Sequence, residues 1–246
     1  IPWLQIILPV MGSGALPQSQ PWQCHYPGLR HLSTFGIVVG MQSEAAVFAD
    51  LPHNPFSLIA CAGANAHRAE QAARDLVKSG ARSLLSFGVA GGLDPALKIG
   101  DLIVGTKVIS DRHDMPCTLD FNLPNAQRRF IAGNDTAVIS AEAKTALFHK
   151  THAAAVDMES HGVARAATDL GLPFGVIRVI SDTALTTIPA FALLGIKPDG
   201  GLNPLPVALH LLRRLDQLPA LLRLRRDTNK ALSILGQDAR TLALSA

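Results

Sequence analysis

Three observations predict an α/β fold with a mostly parallel, helix-covered sheet. From residue 35 to about residue 182, short apolar runs alternate with segments of helical periodicity, the order that builds parallel strands joined by crossover helices. At 246 residues and 26.0 kDa the chain can bury one substantial core, and nothing in its length demands a second. With 48% hydrophobic and 17% charged residues it has the composition of a globular chain, which excludes disorder as its resting state.

The elements follow in order. FGIVVGM (35–41) reads as a buried strand, with Ser43 and Glu44 at a helix start. Residues 56–62 form a second apolar run, and residues 64–79 a helix whose apolar face is Ala69, Ala72, Ala73, Leu76 and Val77. SLLSF (83–87) is a third strand, followed by GVAGGLDP (88–95), in which three glycines predict a turn. Residues 102–109 make a fourth strand, and the polar, proline-bearing residues 110–128 a loop placed to cover a site. FIAG (130–133) and AVIS (137–140) read as short strands, residues 141–150 as a helix and residues 153–157 as a strand. Then Val163, Ala166, Ala167 and Leu170 recur at helical spacing until Gly171 and Pro173 stop the helix. Residues 174–180 are a continuous apolar run broken only by Arg178.

The ends differ from this core. Residues 1–34 have no clear period and are expected to be a poorly defined extension; residues 1–10 are apolar but too short, and lack the positive start, for a spanning helix or a signal peptide. Residues 183–206 are too broken by proline and glycine for a long element. Residues 204–246 read as a basic amphipathic helical segment packed on or beside the domain, kinked at Pro219. Of the net charge of +3, the positive balance belongs to this tail: from Lys197 onward eight basic residues face four acidic ones. No nucleic-acid partner is expected. Cys24, Cys61 and Cys117 show no paired or metal-binding spacing, which fits a reducing, cytoplasmic setting.

Candidate chemistry concentrates in residues 156–182, where a carboxylate stands at each end of a helix–strand unit. Glu159 lies at the helix start, either as a dipole-favoured solvated group or as a buried acceptor for a diol such as ribose. Asp182 follows the strand at the edge where open α/β sheets bind ligands. It either caps the next segment with Ser181 or acts as a general acid if burial raises its pKa. The glycine turn is either an ordinary connection or a backbone cradle for an anion or ribose. Glu44 is ambiguous on local grounds. His67, His113, His152 and His161 lack metal spacing and are expected in surface or capping roles.

Four ordered blocks, GMQSE (40–44), FGVAGGLDPALKIGDLIV (87–104), AVDMES (155–160) and VIRVISDTA (176–184), resemble the nucleoside phosphorylase and nucleosidase superfamily that includes methylthioadenosine/S-adenosylhomocysteine nucleosidase. The resemblance covers residues 35–184. It implies a three-layer αβα sandwich around a mixed, partly barrel-like sheet over residues 35–203. It implies purine nucleoside cleavage without a metal or organic cofactor, phosphate being a candidate co-substrate, and a homo-oligomer. By resemblance, Glu159 binds the ribose hydroxyls, Met158 packs on the sugar, Asp182 with Ser181 beside it protonates N7 of the base, Val138 and Ile139 hold the base through backbone groups, and Glu44 activates water. Gly88, Val89, Ala90 and Gly91 are counted with the substrate-binding residues; the nucleosidases commonly place a serine in the glycine turn, where this chain has Val89. Phosphate would meet Arg68, His67 or the backbone of residues 88–92. Residues 188–232, with their Pro-Asp-Gly turn and Arg/Leu helix, are similar to the hopanoid-associated phosphorylases, which release adenine from adenosylhopane. A basic amphipathic helix suits an anionic membrane surface, where a lipid-linked substrate resides, and equally suits a domain or subunit contact. The alternatives are a soluble methylthioadenosine/S-adenosylhomocysteine-type nucleosidase and a non-catalytic nucleoside-binding protein.

Overall fold

A computed structural model describes residues 35–245 apart from positions 50, 52, 53 and 112. The extension expected at residues 1–34, with Cys24, lies outside the described residues. The elements run in the order β1 (Phe35–Val39), α1 (Gln42–Ala49), β2 (Leu58–Cys61), α2 (Ala66–Lys78), β3 (Ser83–Gly92), β4 (Leu102–Ile109), β5 (Asp114–Pro116), β6 (Gln127–Gly133), α3 (Ala141–Thr151), β7 (Ala155–Asp157), α4 (Ser160–Leu170), β8 (Phe174–Asp182), α5 (Pro204–Arg213) and α6 (Leu218–Ser245), with strands and helices alternating except where β3 to β6 follow one another and where α6 follows α5. A 3₁₀ turn at Ala190–Gly195 precedes α5.

The sheet is organised on β3. One of its edges is taken by β8, parallel, from Leu84 to Gly91. The other is shared: β1 pairs with residues 83–86 and β7 with Gly91 and Gly92. The pairings β7–β6, β6–β4 and β4–β8 then lead back to β3. Five strands thus close a ring, while β1 and β2 extend it at one side and β5 at the other. Because β3–β7, β4–β8 and β4–β5 run antiparallel, the sheet is mixed and partly barrel-like, as the resemblance implied.

Period-two alternation splits the core between the faces. Val38, Val176 and Ile180 pack with Ala69, Ala73 and Leu76 of α2 and Val163, Ala166 and Ala167 of α4. Ile37, Val39, Leu85, Phe87, Ile177 and Val179 pack with Phe48 of α1 and with Ala231, Leu235, Ala239 and Leu242 of α6. The C-terminal half of α6 is therefore one wall of the core and not an appendage to it.

Three local readings are corrected. Residues 88–92 are not a turn but the last part of β3; the glycines are needed for close approach to side chains, described below, and not to reverse the chain. AVIS (137–140) is not a strand: Ser140 caps α3 by accepting from the Ala143 N–H at 3.1 Å, and Val138 and Ile139 line a cleft. Pro219 does not kink a helix. It stands in the first turn of α6, where its missing N–H costs no hydrogen bond, and the separate helix α5 ends at Arg213.

Leu235 is fully buried whereas Leu222 is 43% exposed on the same helix. Leu235→Ala is expected to lower the free energy of unfolding in denaturant titration by about 2–5 kcal/mol. Leu222→Ala is expected to change it by no more than about 0.5 kcal/mol.

Candidate active site

Between the end of β1 and the start of β7, residues 87–90 of β3 have no strand on one edge. Glu44, reaching in from the first turn of α1, takes that place. Its Oε1 accepts from the Val89 N–H at 2.8 Å, and its Oε2 accepts from the N–H groups of Gly40 and Met41 at 2.8 and 2.9 Å. The carboxylate satisfies backbone donors that the diverging strands leave open.

Arg178 sets the next part. It is the one basic residue in a nine-residue strand that is buried throughout, so its guanidinium must find acceptors inside the ring. Its Nε donates to Asp157 Oδ2 at 2.7 Å and its Nη2 to Ser86 Oγ at 2.6 Å. The other oxygen of Asp157 accepts from the backbone N–H groups of Glu159 and Ser160 and from the Ser160 hydroxyl, at 3.2, 2.9 and 2.7 Å. Asp157 thereby caps α4 and fixes Glu159 at the N-cap position, where the Glu159 side chain makes no capping bond itself. Glu159 Oε2 stands 3.7 Å from Arg178 Nη2.

Asp182 is aimed by an irregularity. Ala90 pairs with Ile180 but Gly91 pairs with Asp182, so Ser181 is an extra residue in β8, a bulge that turns the following side chain. The Ser181 hydroxyl lies 3.0 Å from Asp182 Oδ1 and 3.2 Å from the Ala90 carbonyl. Lys144 of α3, fully buried, donates to Asp182 Oδ2.

The glycines make room for these groups. A Cβ on Gly40 would stand 2.5 Å from Glu159 Oε1, and one on Gly88 2.5 Å from Glu44 Oε1. On Gly91 it would stand 3.2 Å from Asp182 Oδ2. Each of the three carboxylates expected to carry chemistry is seated against a residue that has no side chain.

Burial governs their protonation. It raises the Glu44 pKa against the pull of the Val89 N–H and Arg178. Glu159 is pushed up to about 8, first by burial and then by Asp157, with Arg178 opposing. Asp182 is raised by burial although Lys144 draws it down. Burial also works against the charge of Arg178, but Asp157, Glu159 and Glu44 outweigh it and keep the guanidinium ionised. The arrangement can donate a proton from Asp182, accept hydroxyls at Glu159 and accept a proton at Glu44.

Of the other expected residues, Met158 is half-buried beside Glu159, while Gly88, Val89, Ala90 and Gly91 supply the β3 edge. Val138 and Ile139 border an open cleft of about 450 Å³ that continues along α3 to Lys150, and the Ile139 carbonyl accepts from the Ile188 N–H at 2.8 Å. Arg68 is not presented to an anion: its guanidinium bonds the Ala62 and Gly63 carbonyls. His152 caps α3 in the left-handed region, at φ 54°. His161 departs from the expected surface role; it is buried, with Nε2 2.9 Å from Asp135 Oδ1. Lys144, Asp157 and Arg178 were not among the candidates. Arg178 carried a signal, a charge inside an apolar strand, but Lys144 sits in a helix of mixed composition and nothing in its spacing marks it. Among the described residues no cluster of His, Cys, Asp and Glu could hold a metal ion.

A family model described as the phosphorylase superfamily matches residues 34–136 and 122–193, two overlapping segments. The chain belongs to the phosphorylase superfamily. Within it, a 5'-methylthioadenosine/S-adenosylhomocysteine nucleosidase from Marinomonas sp. (strain MWYL1) is 30% identical over an alignment of 135 positions that spans 41% of this chain and 56% of the relative. The match thus spans only about half the length of that curated relative. The superfamily fold is shared with the nucleosidase of the same name from Helicobacter pylori, solved with butyl-thio-DADMe-Immucillin-A: TM-score 0.64, 19% identity, 87% of this chain and 99% of that one. It is also shared with a futalosine hydrolase mutant of Helicobacter pylori: TM-score 0.55, 22% identity, 63% of this chain and 87% of that one.

A group whose folded pKa is raised adds stability that is fully present below its unfolded pKa and is lost as pH rises through the folded value. For Glu159 that window runs from the ordinary 4.5 to about 8. The midpoint of denaturant unfolding is therefore expected to fall across this range in the parent and to fall less steeply in Glu159→Gln. Parallel curves would remove the assignment.

Proposed function

We propose that the chain cleaves the N-glycosidic bond of a purine nucleoside. The observation that carries this reading is the placement of the buried Glu44, Glu159 and Asp182 around the ends of β1 and β3, each seated against a glycine of those strand ends. Asp182 protonates N7 of the purine, so that the base leaves neutral. Glu159 accepts the ribose hydroxyls and Met158 packs on the sugar. Val138 and Ile139 hold the base. As the bond breaks the ribosyl group takes on oxocarbenium character, which nearby carboxylates stabilise more than they do the ground state. Water is the nucleophile that charge balance favours, with Glu44 taking its proton, because the site's two buried cations, Arg178 and Lys144, are both already paired with carboxylates. Phosphate is the alternative.

Asp182→Asn is expected to lower adenine release by roughly 10²–10⁴-fold, the usual contribution of a positioned acid. Supplying adenosylhopane, methylthioadenosine and adenosine with and without phosphate, and identifying the sugar product, separates hydrolysis from phosphorolysis. Undiminished release by Asp182→Asn removes its role as acid, and a parent inactive on all three favours a binding protein.

We further propose adenosylhopane as the substrate and a peripheral membrane position for the enzyme. Besides the resemblance of residues 188–232, the placement of α5 supports this. The turn that leads to it packs on the site: the Gln42 N–H donates to the Gly200 carbonyl at 3.0 Å, beside the Gly40 that faces Glu159. From that turn onward Leu202, Leu205, Leu209, Leu212 and Leu215 are each more than half exposed, with Arg213 and Arg214 at the end of α5. Leu205, Leu209 and Leu212 share one helix face, an apolar stripe with a basic margin that suits an anionic bilayer. No helix among the described residues is long and apolar enough to cross a membrane. The second reading, a methylthioadenosine/S-adenosylhomocysteine nucleosidase, has the Marinomonas relative in its favour.

Deleting residues 204–246 would strip the buried half of α6 from the core, so the membrane test is the triple substitution Leu205→Ser, Leu209→Ser and Leu212→Ser. It is expected to abolish co-sedimentation with vesicles rich in anionic lipid while leaving adenosine cleavage unchanged. Equal sedimentation of the two proteins would eliminate this face as the membrane contact.

A further inference from the structure

Lys144 is the one fully buried lysine among the described residues, and all three hydrogens of its ammonium group have acceptors: Asp182 Oδ2, the Thr183 carbonyl at 2.9 Å and the Thr186 carbonyl at 2.9 Å. Burying such a group is costly unless every donor is met, and here it is. The two carbonyls belong to the segment that follows β8, and the same segment returns to Ile139 through the Ile188 N–H. Lys144 thus ties Asp182, at the end of β8, to the stretch before α3 that borders the cleft.

Its effect on Asp182 is directional. Oδ2 is occupied by the ammonium group, so a proton on the carboxyl group resides on Oδ1. That oxygen is beside the Ser181 hydroxyl, which has a second acceptor in the Ala90 carbonyl and can turn to it. A proton leaving Oδ1 converts Asp182 into a carboxylate already paired with a buried cation. The Arg178 cluster makes no bond to Asp182, so this support comes from Lys144 alone among the described cations.

We propose that Lys144 is the positioning residue for the acid step: it fixes which oxygen of Asp182 faces the base, and it stabilises the carboxylate formed when the proton passes from Oδ1 to the leaving purine. The proposal rests on the reading of Asp182 as that acid. The balance is simple. The O–H bond of Asp182 breaks, an N7–H bond forms, the glycosidic electron pair goes to the base, and Lys144 keeps its own protons throughout.

The test compares Lys144→Met, Lys144→Arg, Asp182→Asn and the double variant Lys144→Met/Asp182→Asn, reading kcat for adenine release against pH and the unfolding midpoint of each. General acid catalysis requires protonated Asp182, so activity falls as pH rises through its pKa. Without the cation Asp182 holds its proton more tightly, and Lys144→Met is expected to move this upper limit to higher pH while lowering the plateau kcat by roughly 10²-fold. On the Asp182→Asn background the same substitution is expected to cost less than about 3-fold, since two groups that act as a unit are not additive. Lys144→Arg keeps the charge, and its upper limit is expected to stay with the parent's even where geometry lowers kcat; it carries the comparison if Lys144→Met does not fold. A lowered rate with an unmoved upper limit, or equal losses with and without the Asp182 carboxyl group, reduces Lys144 to a structural role. Should Asp182→Asn itself keep the parental rate, the acid assignment fails and this one with it.

Discussion

A guanidinium group closed off from water is the constraint on which the rest of the structure turns. Arg178 projects from a strand whose other residues are apolar or end at the site, and the cost of leaving its charge unpaired exceeds what any single apolar contact returns. The side-chain acceptors come from two other strands of the closed ring, Asp157 at the end of β7 and Ser86 in β3, and the Ile177 carbonyl of its own strand takes a third hydrogen bond. Since β7 has only three residues and touches β3 at two positions, this ion pair supplements a short ladder where the ring closes. The same Asp157 caps α4, so the angle at which that helix leaves the sheet, and with it the position of Glu159, follows from one buried charge.

The carboxylates around this centre outnumber its cations. Among the described residues, Glu44, Asp157, Glu159 and Asp182 are buried at the site with Arg178 and Lys144 as the buried cations opposite. Removal from water raises the energy of the ionised state, which is why Glu44, Glu159 and Asp182 all have elevated pKa values, and at Glu159 the neighbouring Asp157 and Glu44 add to it. The fold tolerates this because two of the groups are held by several partners, three backbone N–H groups for Glu44 and a lysine and a serine hydroxyl for Asp182, while Glu159 faces Arg178. Packing against Gly40, Gly88 and Gly91 then removes the freedom to move aside. Stability given up in this way is a common mark of residues arranged for chemistry.

Much of this was legible in the sequence where a local pattern and the final environment agree. β4 runs over the same residues that its apolar pattern marks, and α2 and α4 follow their apolar stripes closely. The ring closure was not legible from pattern, because β7 is three residues long, too short for a period, and the buried ion pair that holds its end joins residues 21 positions apart. The glycine run misled for a related reason: glycine marks turns by its backbone freedom, but Gly88 and Gly91 are extended strand residues whose value is the absent side chain. The tail misled in the other direction. It read as a segment added on or beside the domain, yet the alanines and leucines at 231, 235, 239 and 242, spaced at four, four and three, are a side that fills the core. Glu44, Glu159 and Asp182 could be assembled into one site only through the four ordered blocks, since each taken alone reads as a helix start or a cap. Lys144 left no mark at either level, because a buried lysine is defined by its partners and those are distant in sequence.

In the proposed reaction the unbalanced charge has a specific use. Before reaction the nucleoside is neutral and gains little from an acidic surrounding. As the glycosidic bond lengthens the sugar becomes cationic, and the carboxylates that burial has made costly acquire the counter-charge they lack. The interaction strengthens along the reaction coordinate, which is the condition for lowering a barrier and not only for binding more tightly. The base moves in the opposite sense, toward negative charge, and on that side stands Asp182, the proposed acid, with a buried cation behind it. The two ends of the breaking bond thus meet opposite electrostatic environments. The divergence of β1 from β3 and the Ser181 bulge in β8 keep those environments apart, for they seat Glu44 at one edge of β3 and Asp182 at the other.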